Sequence, residues 1–187
     1  MATIQSKLEG KNLRIMFQDE ARFGRLPVIR AAWVPSGVRP LVVAAIERQF
    51  KYIYSAISPF DGDIDWSVTD MMNTENMTLF LQQISRKYPD DYLLMVVDGA
   101  SSHRSKEMEI PANVHLLQLP PYCPELNPVE HLWDYTREKA CANRYFENLN
   151  DVVEKVEHEL GKLAQGTLTM AKKVSQMFCW PWMISAI

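Results

Sequence analysis

The 187 residues suffice for one domain with a sizeable core, and 47% hydrophobic with 23% charged residues excludes an intrinsically disordered chain. No apolar run is long enough to span a membrane. Residues 1–60 hold nine Lys/Arg and four Asp/Glu (+5), while residues 61–187 hold eleven Lys/Arg and nineteen Asp/Glu (−8). The basic N-terminal third could form a DNA-binding surface, although a solvated basic face is the simpler explanation.

The first half of the chain predicts mainly strands. Apolar and β-branched residues bounded by turn formers predict four extended segments, at residues 13–18, 31–34, 41–57 and 64–68. The first of these segments is expected to end at Asp19. A helix follows over residues 74–86, where apolar residues recur at helical spacing and either Asn73 or Thr74 is placed to cap its N-terminus.

The second half predicts strands that alternate with helices. Residues 92–97 are apolar without alternation, which is typical of a central strand covered on both faces, and they run directly into Asp98. A second buried strand is expected at residues 114–119, and a proline-rich connector leads to a helix from residue 129 to about 140. Further helices are predicted after Asn148 or Asn150 and from residue 167. This order indicates a mixed sheet with helices packed on it.

Asp19 and Asp98 each follow a predicted strand, and ligand sites in open α/β sheets gather at strand ends. Two carboxylates at neighbouring strand ends repel each other unless a cation lies between them. Hard cations such as Mg²⁺ prefer oxygen ligands of this kind. For each aspartate alone, an ordinary strand-terminating residue remains the simpler interpretation.

Glu130 belongs to a predicted helix start, with Asn127 as the N-cap, Pro128 at the first helical position and Glu130 at the third. A glutamate there often folds back onto the N-cap amide in a capping box. A helix N-terminus equally favours the ionised carboxylate that a metal ligand must be. The position alone leaves both interpretations open.

Three motifs carry a resemblance to a known family: FQDEARFGR at residues 17–25, VVDGASSHRS at 96–105 and LPPYCPELNPVEHLW at 119–133. The third is long and unusual in composition, so it is the most specific. In kind and order the motifs resemble those of mariner-type DDE transposases, in the bacterial insertion-sequence branch. The resemblance implies an α/β chain with an RNase H-like mixed five-stranded sheet flanked by helices.

The resemblance also implies the site. The metal-binding and catalytic triad of the family carries over to Asp19, Asp98 and Glu130, with Glu125 of the same motif as the alternative to Glu130. Two Mg²⁺ or Mn²⁺ ions are expected, one activating water or a DNA 3′-hydroxyl and the other stabilising the leaving 3′-oxygen. His103 matches a histidine common in the second motif, where contact with DNA and a packing role are equally open.

The implied partners are DNA, as transposon ends and target, and further copies of the chain in a synaptic assembly. The apolar tail at residues 178–187 is expected either to form an interface or to cover the sheet. Three widely spaced cysteines suit a reducing compartment, so we expect a bacterial cytoplasmic, nucleoid-associated protein. Residues 1–187 are expected to form the catalytic domain alone, without the N-terminal helix-turn-helix domains of full-length relatives.

Two other functions remain open at this stage. Another RNase H-like nuclease, such as a junction resolvase, would use the same acids, although the proline-rich third motif argues against it. An inactive or domesticated fragment would serve as a DNA- or protein-binding module, although all three acids are intact. Trp133 is expected in the core, and Asp61, Asp63 and Asp65 do not form an EF-hand, because Met72 occupies the position where that loop requires a glutamate.

Overall fold

A computed structural model of the chain describes residues 10–44, 46–98, 108–121 and 123–165. Five strands in these ranges form one sheet in the order β3-β2-β1-β4-β5. Their bounds are β1 (Asn12–Gly24), β2 (Phe50–Ile57), β3 (Ile64–Thr69), β4 (Asp91–Val97) and β5 (Val114–Gln118). Because β1 pairs antiparallel with β2 and parallel with β4, the sheet is mixed, which confirms the predicted fold class.

In the same described ranges, three α-helices pack on this sheet: α1 (Thr74–Lys87), α2 (Val129–Thr136) and α3 (Leu149–Gln165). The Asn73 side chain accepts a hydrogen bond of 2.8 Å from the Asn76 N–H, so Asn73 caps α1. The Asn148 side chain likewise accepts the Asp151 N–H at 3.0 Å ahead of α3. These bonds satisfy N–H groups that lack a partner in the first turn of a helix.

The sheet separates two hydrophobic cores. On one face α1 contributes Met77, Phe80, Leu81 and Ile84 to a core with β4 and β2. On the other face α2 and α3 pack against β1, and Trp133 is the largest fully buried side chain there. The last six residues of β4 are buried, which explains why its sequence is apolar without alternation.

The first strand is longer than predicted. β1 continues past Asp19 to Gly24, because β2 pairs with it from Phe17 through Gly24. Its pairing with β4, in contrast, reaches only as far as Phe17 opposite Val96. Asp19 therefore lies within a strand and not at its end, although it lies just beyond the point where the pairing with β4 stops.

The strands predicted at residues 31–34 and 41–49 are not formed in the part of this segment that the structure describes, and β2 begins only at Phe50. The apolar side chains there are largely in water; Trp33 is fully exposed and Leu41 is 93% exposed. Proline at positions 35 and 40 interrupts the segment, and β-propensity has no effect without a neighbouring strand to pair with.

The helix predicted from residue 129 to about 140 changes its winding part-way. It is α-helical to Thr136 and then forms a π-turn at Arg137–Cys141. The helix predicted from residue 167 and the apolar tail at 178–187 lie outside the described residues. Within the described ranges, no helix combines the length and the apolar character needed to cross a membrane.

Helix α3 buries one acidic side chain, Glu159, between two lysines. Its carboxylate lies 3.1 Å from the ammonium groups of both Lys155 and Lys162. Burial alone would raise the pKa of Glu159, but the hydrogen bonds and charges of the two lysines outweigh it and hold that pKa below its ordinary value.

We expect Glu159→Gln to lower the free energy of unfolding at pH 7 by about 0.5–1 kcal/mol. Since the folded-state pKa is depressed, this contribution is present above the ordinary glutamate pKa and is lost as the pH falls through the lower folded value. Thermal unfolding of both proteins from pH 7 to pH 3 tests this, because the two curves should converge at the acid end. A difference independent of pH would contradict the assignment.

Candidate active site

The register of the two central strands brings the two aspartates to the same part of the sheet. β1 and β4 run parallel, with Phe17 opposite Val96, and both of these side chains lie in the core under α2 and α3. Asp19 and Asp98 each follow two residues later. Because adjacent strands lie about 4.8 Å apart, this register brings Asp19 and Asp98 to the same region, just beyond the point where β1 and β4 stop pairing.

Asp19 is held in a buried environment on the face covered by α2. Its side chain faces the core, and its Oδ2 accepts a hydrogen bond of 3.0 Å from the indole N–H of Trp133. Burial, followed by repulsion from Glu130, raises the pKa of Asp19 to about 7, although hydrogen bonds from the Glu20 backbone and Trp133 act in the opposite direction. A carboxylate in this position is ionised at low cost only beside a positive charge.

Asn127 fixes the start of α2 against β1. Its side-chain amide donates to the carbonyl of Gln18 at 3.1 Å, and its Oδ1 accepts the Val129 N–H at 3.2 Å. Pro128 already has helical dihedral angles, so the helix begins as the sequence predicts. In a capping box, the Glu130 carboxylate would accept a hydrogen bond from the Asn127 backbone N–H. That N–H donates instead to the Pro124 carbonyl at 2.9 Å, so the capping box is not formed.

Glu130 lies within electrostatic reach of both aspartates. Burial raises its pKa most, and the charges of Asp134 and Asp98 raise it further, while Arg137 and His131 oppose the shift. Its charge in turn raises the pKa of Asp19. Glu130 therefore interacts electrostatically with each of the two aspartates, near the end of the inner strand β4.

The donor set of the three acids fits a hard divalent cation. Carboxylate oxygens are the ligands that Mg²⁺ and Mn²⁺ prefer, and a cation would offset the repulsion that raises two of the three pKa values. In the described part of the chain, however, the side chains as placed do not group three metal-binding residues closely enough to form a complete site. Charges affect each other's pKa over longer distances than those of metal–ligand bonds. The acids can therefore raise one another's pKa values without being close enough to share an ion as placed.

Comparison with known proteins identifies the family of the chain. The model of the family described as DDE superfamily endonuclease matches residues 14–153. The chain belongs to this family. The match spans β1 to the first residues of α3 and includes all three candidate acids, and it confirms the family that the three sequence motifs indicate.

Among curated proteins, the chain is 35% identical over 103 residues to the uncharacterized protein y4pE/y4sA of Sinorhizobium fredii, covering 54% of this chain and 76% of that protein. Among solved structures it is similar to the Mos1 strand transfer complex, with TM-score 0.65 and 17% identity over 97% of this chain. The Mos1 mariner paired-end complex with Mn gives TM-score 0.66 at 17% identity over 94% of this chain.

This likeness confirms the RNase H-like fold. The chain spans 57% and 56% of the length of the two Mos1 chains, so the likeness concerns one part of those proteins.

Other candidates from the sequence fall elsewhere. Glu125 is exposed in a short 3-10 turn at Pro124–Leu126, and His103 lies outside the described residues. Trp133 is in the core, as predicted, with 1% of its surface exposed. Asp61 and Asp63 form ion pairs with Arg14 and not a calcium loop.

The contacts that position Asp19 and Glu130 were not predicted from the sequence. Asn127 was expected only to cap a helix, and it also binds β1 at Gln18. Trp133 was expected only to fill the core, and its indole N–H also holds Asp19. The available signal was the spacing of Glu130 and Trp133, because residues three apart share a helix face.

Proposed function

We propose that residues 1–187 of this endonuclease are the catalytic domain of a transposase, which cleaves DNA at transposon ends and joins those ends to target DNA. The observation that carries the proposal is a group of acids beside the two inner strands of an RNase H-like sheet. Glu130 repels the buried Asp19, and Asp98 repels Glu130. Acids kept together at such a cost are typical of a site built for cations.

Asp19, Asp98 and Glu130 would hold two divalent ions, Mg²⁺ or Mn²⁺. Bound ions of this kind supply Lewis acidity for an in-line displacement at phosphorus, with water or a DNA 3′-hydroxyl as the nucleophile. The protein itself orients the ligands. Trp133 fixes one oxygen of Asp19, and Asn127 fixes the helix start that carries Glu130.

The proposed partners are DNA and a second copy of the chain. Support comes from the Mos1 structures of similar fold, which are a strand transfer complex and paired-end complexes. Strand transfer needs two DNA ends held together, which a pair of catalytic domains would provide. We place this activity in the bacterial cytoplasm, at the nucleoid.

The choice between Glu130 and Glu125 gives the first test of the site. We expect the chain to cut and join branched DNA with a free 3′-hydroxyl end in Mg²⁺ or Mn²⁺, and Glu130→Gln to lower the rate by roughly 10²-fold or more. Glu125→Gln should leave the rate within about two-fold, because Glu125 is exposed and outside the acid group. Cleaved and joined products are separated on denaturing gels.

Glu125→Gln is the matched control, since it makes the same chemical change in the same motif. Equal rates for Glu130→Gln and wild type would contradict the site. Cleavage without any joined product would favour a simple nuclease, and DNA binding with neither reaction would favour a binding module.

A further inference from the structure

The hairpin formed by β1 and β2 extends beyond the acid group. From Gln18 to Gly24, β1 pairs only with β2, since its pairing with β4 stops at Phe17. At the end of this hairpin lies a cavity of about 180 Å³, lined by both ends of the β1–β2 connection and by the π-turn after α2. Two arginines, Arg22 and Arg137, line it.

Four of the eight basic residues that the structure describes in the first 60 positions have acidic partners. Arg14 pairs with Asp61, Asp63 and Asp91, and Arg25 pairs with Glu47. Two further pairs are Arg30 with Asp134 and Lys51 with Asp70. About half of the described positive charge in residues 1–60 is therefore used in ion pairs. Arg14 also lines a cavity, but three carboxylates surround it there, whereas Arg22 lines its cavity together with a second arginine.

Arg22 and Arg137 are held over aromatic rings. The Arg22 guanidinium carbon lies 4.9 Å from the centre of the Phe50 ring, and that of Arg137 lies 5.6 Å from the Phe23 ring. A Cβ at Gly24 would collide first with the Gln49 carbonyl oxygen and then with the Phe50 ring, so glycine allows the backbone and ring at the start of β2 to lie this close to β1. Stacked guanidinium groups keep their N–H donors available for an anion.

We propose that this cavity binds a phosphate of the DNA backbone, gripped by Arg22 and Arg137, beside the strand that is being cut. The inference rests on the proposed function, because it names how the same site holds its substrate. Arg22 lies three residues beyond Asp19 along β1, which is about 10 Å, and on the opposite face of the strand, while Arg137 reaches the cavity from the face of Asp19. A phosphate there would belong to a nucleotide next to, and not at, the scissile bond.

The electrostatics of the acid group explain the need for such a contact. Asp19, Asp98 and Glu130 repel a polyanion, so DNA must be held by positive charge on either side of them. Arg137 is the cation that most lowers the pKa of Glu130, which places it at the border between acids and cavity. Arginine suits this role because its planar fork can donate two hydrogen bonds to one phosphate.

The test measures binding of a fluorescein-labelled branched DNA by the full chain, in Ca²⁺ and over a range of salt concentrations. We expect the double variant R22Q/R137Q to bind roughly tenfold more weakly and to reduce the slope of log Kd against log salt by about 1, as for one lost phosphate contact. R22K/R137K keeps both positive charges but loses the planar guanidinium groups, so its affinity for the DNA should lie between those of the wild type and R22Q/R137Q.

The matched control is K11Q/R86Q, which removes the same charge from exposed positions away from the cavity. Equal weakening and equal salt slopes for both double variants would overturn the proposal, as would a wild-type chain that binds no DNA. The outcomes separate the two proposals, because a wild type that binds DNA through the cavity without cutting it contradicts only the transposase function. A wild type that cuts DNA, with R22Q/R137Q unaffected, contradicts only the cavity.

Discussion

Asp98→Asn is expected to lower the rate of metal-dependent DNA cleavage by roughly 10³-fold, or about 4 kcal/mol of transition-state stabilisation. Asp98 directly follows β4, whose last six residues are buried, so a buried inner strand holds the backbone that leads into it. Asparagine keeps the size of the side chain but removes the negative charge that cations require. Single-turnover cleavage in Mg²⁺ and in Mn²⁺ measures the effect.

The fold of the Asp98→Asn variant should survive, because the side chain is only partly buried. Thermal unfolding without metal should therefore be close to that of wild type, while stabilisation by added Mn²⁺ should be lost. Asp19→Asn is expected to behave in the same way. An Asp98→Asn variant that cleaves DNA like wild type would rule out the DDE mechanism in this chain.

Trp133→Ala should cause the largest loss of stability, about 3–5 kcal/mol, because it removes a fully buried indole from the core under α2. Trp133→Phe is more informative. It retains a ring beside Phe23, at present 5.9 Å away, and removes only the N–H that Asp19 accepts. We expect it to cost about 1–3 kcal/mol and to lower kcat for cleavage roughly tenfold.

Tyr54→Phe provides the matched control for Trp133→Phe. Tyr54 is fully buried in the core on the other face, and its hydroxyl bonds to the backbone of Asn73. The substitution removes one buried hydrogen-bonding group at similar cost in stability, but away from Asp19, and should leave kcat unchanged. If the two variants lower stability equally and neither affects cleavage, Trp133 does not position Asp19.

Local sequence patterns were sufficient for most of the fold. The apolar run of β4, the helical spacing in α1 and the caps at Asn73 and Asn148 are all determined by neighbours a few residues away. The segment at residues 31–34 shows the limit of this approach. Its side chains suit a strand, but a strand exists only where another strand supplies hydrogen bonds, and that depends on the tertiary structure.

The family motifs predicted the three candidate acids, but they did not predict the contacts that surround these acids in the fold. The first strand was expected to end at Asp19, but Ala21 and Phe23 continue the buried face of β1. The hydrogen bond between Trp133 and Asp19 joins residues 114 positions apart. No local pattern contains such a contact.

The two hydrogen bonds that hold α2 on β1 have a consequence for folding during synthesis. They join Asn127 to Gln18 and Trp133 to Asp19, so each closes a loop of more than one hundred residues. Such contacts form late, because the entropy of a long loop must be overcome first. During synthesis the N-terminal part of the chain leaves the ribosome first. Both aspartates are therefore exposed well before α2 can dock. An unfinished or proteolysed chain without α2 would lack Glu130 and the Trp133 contact to Asp19, so we expect it not to cleave DNA.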